Sequence, residues 1–505
     1  MTDRSTVAAR AGTAALPSGD ATTEPPTMSL KRTLGIRDVV LFNLVAILGL
    51  RWIATAAKAG PSAICLWILA ALMFFIPQGL AVAELSARYP AEGGIYAWTK
   101  QRFGERHAYL CGWCYWVVNV LYYPQLLLST AIVALYVVGK GASGLGDQWL
   151  YVLPTTLCAL WIAVGFNIVG LNTGKWLQNA GGIGSYVTGS ILVAVGIACV
   201  FAGHPANDLS PHAFLPSVKS LATINLWATI AFAFSGLELG ASLGGEIKNP
   251  RQTLPRAVYL STPLIAGLYI LGTAAVLWIV PTGSINVVTG FLQGIAVGAA
   301  RFGHWLWWLA PLAAASYTLG NIGGIGAWLT GPARIAFVIG LDRYFPPAFG
   351  RVHPRWGTPY VAILVQAVVA SILMLVSQLG KGTTVEQFYL VLLFAQVLIY
   401  FIPFIYLFLC LLVEPTYVAG APTVVPAGAA GKTICALAGL TVTVLAMVLA
   451  AVPSADSGPV MIYETKVVGV AAAFILFGGL LYLWANRSGR PAERIVIETA
   501  GPSRD

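Results

Sequence analysis

The sequence predicts an all-α membrane protein of twelve transmembrane helices, and three observations predict it. Of its 505 residues 58% are hydrophobic and 10% charged, too little charged surface to cover a soluble globule of that size. Its apolar runs reach about 20 residues each, the length a helix needs to cross the hydrocarbon core. Two of those runs, five spans apart, are interrupted by glycine beside a charge. Such interruptions mark discontinuous helices that pair across an inverted repeat.

Residues 1–29 are rich in Ala, Thr and Pro and lack an apolar core stretch, so they read as a disordered tail and the first span directs insertion. A first repeat (30–202) holds spans at 36–59, 62–87, 107–138, 148–170 and 178–202. After the loop 203–221, a second repeat (222–414) holds spans at 222–245, 256–280, 304–339, 358–379 and 386–413. Two further spans, 433–452 and 463–485, fill residues 415–486, before a tail at 487–505. The loops 203–221 and 281–303 are long enough to cover a vestibule. Arg88-Tyr-Pro-Ala-Glu-Gly-Gly-Ile-Tyr96 carries proline and paired glycines that forbid a plain hairpin, so it is expected to pack on the bundle. Asp342 to Phe349 reads as a short amphipathic segment.

On this span assignment 22 of the 29 Lys and Arg fall on the face that carries both termini, and by the positive-inside rule that face is cytoplasmic. The placement of the charges also accounts for the net +10 without nucleic acid as a partner. Seven cysteines lie mostly within apolar runs. Cys111 and Cys114 have no second pair at metal-ligand spacing, so neither a metal site nor a cofactor is expected. No set of nucleophile, base and orienting group suggests an enzyme. A channel needs polar rings and a sensor usually needs a soluble output domain. Neither is visible.

Arg51 stands mid-way through the first span, in Leu48-Gly49-Leu50-Arg51-Trp52-Ile53. A charge there costs roughly 2.5 kcal/mol or more unless it faces protein or water, so it marks a pathway or an ion pair. Glu238, in Phe234-Ser-Gly-Leu-Glu238, is the obvious pair partner and also a candidate proton site. Glu84 and Glu246, nearer the helix ends, read as gates or helix caps. Asn119 with Tyr122-Tyr123-Pro124 in span 3, Phe232 and Phe234 as an aromatic lid in span 6, and Tyr317 and Asn321 in span 8 complete the candidates.

Three blocks resemble the amino acid, polyamine and organocation transporter superfamily, in its order and topological positions. They are Glu84 to Tyr96; Phe232 to Glu238 followed by Glu246-Ile-Lys-Asn-Pro-Arg251; and Ala333-Arg-Ile, Asp342 to Pro346 and Val352 to Pro359. The resemblance implies the LeuT-like fold of five plus five inverted spans, with helices 1 and 6 unwound around a central site and two helices added. It implies a cytoplasmic-membrane permease moving an amino acid by alternating access, proton-coupled or by exchange, with a polyamine as the alternative substrate. The expected substrate contacts are Gly49, Leu50, Arg51, Trp52, Asn119, Tyr123, Phe232, Phe234, Ser235, Gly236 and Tyr317, the resemblance itself implying the backbone near Gly49 and the carbonyls of helix 6. In relatives, small residues stand where Leu50 and Arg51 stand here. Some proton-coupled relatives also place a lysine at the position of Ser185, which has no charge. Arg51 is therefore expected to grip an acidic group of the substrate or to replace that cation, with Arg51, Glu238, Ser185 and Glu84 as the coupling and gating set. The expected partners are a small-molecule substrate, protons and the bilayer. With no cysteine between Lys140 and Gln148, no disulfide-linked subunit is expected.

Overall fold

The computed structural model describes residues 32–139, 141, 144–203, 205–216, 221–379, 384–414, 423–451 and 460–487. The expected tail 1–29 and, but for Arg487, the expected tail 487–505 lie outside these residues, as do Lys140, Lys219 and Lys381. All major elements are helices: α1 (Ile36–Ile47), α2 (Arg51–Lys58), α3 (Ser62–Arg88), α4 (Ile95–Phe103), α5 (Glu105–Val137), α6 (Trp149–Val169), α7 (Leu171–Ala202) and α8 (Leu221–Ala233). They continue with α9 (Leu237–Ala241), α10 (Pro250–Ile279), α11 (Gly290–Ala300), α12 (Leu309–Leu341), α13 (Tyr360–Leu379), α14 (Thr384–Val413), α15 (Gly428–Ala451) and α16 (Val460–Arg487). Among the described residues ten helices are long and apolar enough to span a membrane, and the pair α1 and α2, bent by 42°, makes an eleventh. The expected sixth span falls on α8 and α9, each too short to be counted on its own. The chain is an integral multi-pass membrane protein.

Both interruptions occur where the glycines predicted them. Helix α1 stops at Ile47, and Gly49 turns its amide back onto the carbonyl of Ile47 at 2.7 Å before α2 starts at Arg51. Between α8 and α9, Gly236 adopts φ +131°, open to glycine and strained for any side chain. A Cβ there would also lie 2.9 Å from the side chain of Ile47, so the two breaks sit against each other. Behind them α7 crosses α12 on small residues: a Cβ on Gly184 would meet the Ser316 carbonyl at 2.3 Å, and Gly181 faces Gly323. One expected loop is not a plain connector. Within 281–303, α11 buries Phe291, Leu292 and Ile295 and packs on α2, α7 and α12.

At the end of the bundle where α1 begins, the chain is tied shut. Thr33 and Leu34 donate to the carbonyl of Glu246, Lys248 donates back to Leu34, and Gly93 donates to Ser242. Buried Arg334 of α12 grips Glu246 through Nε at 2.9 Å and Nη2 at 3.2 Å. Glu92 reaches within 3.9 Å of the same guanidinium and accepts the Gly245 amide at 2.9 Å. Asp342 holds Lys100 at 2.6 Å and Tyr96 at 2.5 Å. Glu414 holds Arg88, Arg102 and Tyr89. Segment 88–96 is thus packed on the bundle, and Asp342 serves as its anchor.

In this cluster Glu92, in the loop between α3 and α4, is the carboxyl left over. Burial, then the neighbouring Glu246 carboxylate, push it up to about 8, against the opposing pull of Arg334 and the Gly245 amide. The native state therefore binds a proton that the unfolded chain, with a carboxyl near 4.5, has already released, and stability falls as pH rises through that interval. In thermal melts of the purified protein, Glu92→Gln should flatten the decline of Tm between about pH 5 and pH 8. A wild-type slope in the variant would refute the protonated assignment.

Candidate functional site

A broken helix inside a bilayer frees backbone donors and acceptors that must find partners in the protein. Here side chains of α10 and α12 supply them. The Gly49 amide donates to the Tyr269 hydroxyl at 3.1 Å, and that hydroxyl donates to the Ile47 carbonyl at 2.5 Å. The Leu50 amide donates to the Tyr317 hydroxyl at 2.7 Å. Trp328 Nε1 donates to the Ala46 carbonyl at 2.9 Å, while its own carbonyl accepts the Tyr123 hydroxyl at 2.8 Å. On the other break, the Gly236 amide donates to Glu238 at 3.1 Å. The amides expected to stay free for a ligand are occupied at Gly49 and Leu50.

Arg51 begins α2 and is 8% exposed. Its Nη2 donates to the Tyr122 hydroxyl at 2.6 Å, and its Cζ lies 4.7 Å from the Trp52 ring centroid and 5.4 Å from that of Tyr122. Two aromatic faces thus stand in for part of its lost hydration. Nη1 has no partner among the described residues. The ion pair with Glu238 does not form. The Glu238 carboxylate is filled by neutral donors instead: Gln78 at 2.8 Å, Tyr115 at 3.0 Å, Tyr400 at 3.1 Å and the Gly236 amide.

Beside the breaks lies a small cavity, whose walls include Ile47, Trp52, Asn119, Tyr122, Phe232, Ser235, Trp328 and Tyr400. Of the predicted contacts, Trp52, Asn119, Phe232 and Ser235 line it. Phe232 meets Trp52, Tyr122 and Tyr400 at ring distances of 5.8, 6.2 and 5.2 Å, forming a closed aromatic wall. Asn119 has an amide oxygen with no partner among the described residues. Gly49, Leu50, Gly236 and Tyr317 are outside the lining, committed to the breaks, and Arg51 sits behind Trp52 and Tyr122. Tyr123 turns to α12. Phe234, just past the end of α8, stacks on Phe75 at 4.5 Å and meets Trp67 at 4.9 Å, away from the cavity.

Ser185 is buried at the α7–α12 crossing, its Oγ against Gly320. Glu84 accepts the Val424 and Val425 amides at 2.6 and 2.9 Å and pairs with Arg88 and Lys432, which ties α3 to α15. Asn321 is buried with its Nδ2 unpartnered among the described residues. Sequence reasoning missed Tyr269, Trp328 and Tyr400. A hydroxyl or indole N–H in the middle of an apolar span was the available signal, since such groups rarely sit there without a partner.

The amino acid permease family model matches residues 34–478, and the chain belongs to that family. It is 31% identical to an uncharacterized transporter of Legionella pneumophila over 68% of this chain and 73% of that one. It is 25% identical to the glutamate/gamma-aminobutyrate antiporter of Lactococcus lactis, over 77% and 78% respectively. Among solved structures, MhsT in complex with L-phenylalanine superposes with a TM-score of 0.57 at 14% identity, covering 90% of this chain and all of that one, which establishes the LeuT fold. The protein is a membrane transporter and not an enzyme.

Removing the Tyr269 hydroxyl would take two hydrogen bonds from the break and leave the Gly49 amide and the Ile47 carbonyl with only each other. Tyr269→Phe is expected to cost about 0.5–1.5 kcal/mol for each hydrogen bond lost, read as a fall in Tm. An unchanged Tm would show that the break does not depend on this hydroxyl.

Proposed function

We propose that the protein moves an amino acid across the cytoplasmic membrane by alternating access, with both termini in the cytoplasm. The observation that carries this reading is Arg51: a guanidinium 8% exposed, with Nη1 unpartnered among the described residues, packed against Trp52 and Tyr122, which line the aromatic cavity beside the two breaks. Tyrosine hydroxyls already occupy the Gly49 and Leu50 amides, so a substrate carboxylate takes Arg51 as its counter-charge. The substrate ammonium faces the carbonyl end of α8 at Ala233 to Ser235, where a helix C-terminus favours a cation. Phe232 closes over the apolar part. The tied end of the bundle is the cytoplasmic gate, and its ion pairs must part for the substrate to leave.

Glu238 supports a coupling role, by proton or through exchange. Four neutral donors hold it with no cation upon it, and Tyr400 links it to the cavity wall. Ser185 supplies no charge, which leaves Arg51 as the cation of this region. The occupied amides favour one second reading, a polyamine, which has no carboxylate to place. An arginine at the cavity weighs against it.

Two measurements test the proposal. In a thermal-shift screen, L-glutamate, gamma-aminobutyrate and neutral amino acids are set against putrescine and spermidine. An amino acid should stabilise the protein, and stabilisation by polyamines alone would overturn the substrate class. In proteoliposomes, Arg51→Ala should weaken substrate affinity by about ten- to a hundred-fold, the worth of a charged hydrogen bond of roughly 1.5–3 kcal/mol. Wild-type affinity in a correctly inserted variant would remove Arg51 from the site. Glu238→Gln should abolish any response of uptake to an imposed pH gradient, and a retained response would place the coupling elsewhere.

A further inference from the structure

Away from the central cavity, the outer surface carries an open crevice between α1, α7 and α10. Its walls are Ile36, Val40 and Leu41 of α1, Ile183 of α7 and Leu260 of α10, with Arg37 as the charged residue among them. Arg37 is in the first turn of α1 and is exposed, with no ion pair or hydrogen bond to the described residues. Arg256 stands four residues before Leu260, one turn nearer the same end of the bundle on the same face of α10. It too is exposed and has no partner among the described residues. The nearest acid on α1, Asp38, is engaged by Asn179 at 2.7 Å, the Gly35 amide at 2.9 Å and Lys175 at 3.7 Å. The mouth of the crevice is therefore net positive and its depth apolar.

We infer that this crevice is a binding site for an anionic phospholipid, with an acyl chain along Val40, Leu41, Ile183 and Leu260 and the headgroup phosphate held by Arg37 and Arg256. An apolar groove on a membrane-spanning surface fills with hydrocarbon whatever the headgroup. Selection for negative charge comes from the two guanidiniums, whose planar forks match phosphate oxygens in pairs. Because α1 forms one wall and ends at the break beside the cavity, a lipid seated here bears directly on the helix that must move for the tied end to open.

The test is a thermal-shift titration of the detergent-purified full chain with dioleoyl phosphatidylglycerol and, separately, dioleoyl phosphatidylcholine. Phosphatidylglycerol should stabilise the wild type at lower concentration than phosphatidylcholine. Each arginine removed should raise the half-effect concentration of phosphatidylglycerol about five-fold, from an attraction on the order of 1 kcal/mol per basic residue near the surface. Arg37→Gln/Arg256→Gln should thus respond alike to both lipids, whereas Arg37→Lys/Arg256→Lys should keep most of the preference. If the double glutamine variant does not purify folded, the single variants Arg37→Gln and Arg256→Gln carry the same reading. An equal response of the wild type to both lipids would show that the crevice holds neutral lipid, and an unchanged phosphatidylglycerol midpoint in the glutamine variants would place the headgroup elsewhere. Either result overturns the inference.

Discussion

The rest of this structure depends on how the polar groups of two broken helices are satisfied without water. A helix that stops inside hydrocarbon leaves amides and carbonyls that each cost several kcal/mol if orphaned. Here the Tyr269 hydroxyl serves Ile47 and Gly49, Tyr317 serves Leu50, and the Trp328 indole serves Ala46. These side chains come from α10 and α12, so the broken elements cannot be assembled until those helices are in place. The cavity exists because this satisfaction is local, and the chain can bend there without unravelling.

Charge is distributed by the same economy of partners. At the end where α1 begins, buried Arg334, Glu246, Glu84 and Arg88 answer one another. Removing one partner from such a pair leaves an uncompensated charge, so the network acts as an all-or-none closure. Near the cavity the arrangement differs. Arg51 has two aromatic faces and one hydroxyl, and Glu238 has four neutral donors, yet the two do not meet. Kept apart in this way, the two groups do not neutralise each other, as a purely structural ion pair would have done.

The proposed lipid site connects the outer surface to the same helix. Helix α1 touches the crevice with Arg37 and Val40, and its last residue, Ile47, touches both the cavity and Gly236. Twelve residues thus join the outer crevice, a helix break and the aromatic cavity.

Much of the architecture was legible in the residues. The apolar runs located the spans, since each must be long enough to cross hydrocarbon. Gly49 and Gly236 located the breaks, since only glycine adopts such a turn cheaply, and the intramembrane Arg51 and Glu238 pointed to the region proposed as the site. The sequence alone therefore determined the fold class and where along the chain the helices give way. The tertiary structure decided who meets whom. That Arg51 goes to Tyr122 and not to Glu238, that Tyr269 and Tyr317 take the amides of helix 1, and that Phe232 faces the cavity while Phe234 does not are facts of distance between elements 70 to 270 residues apart in the chain. Hydropathy and glycine placement report what a segment needs from its solvent, a local property. A hydrogen-bond partner is set by how whole helices pack, and no local pattern encodes that.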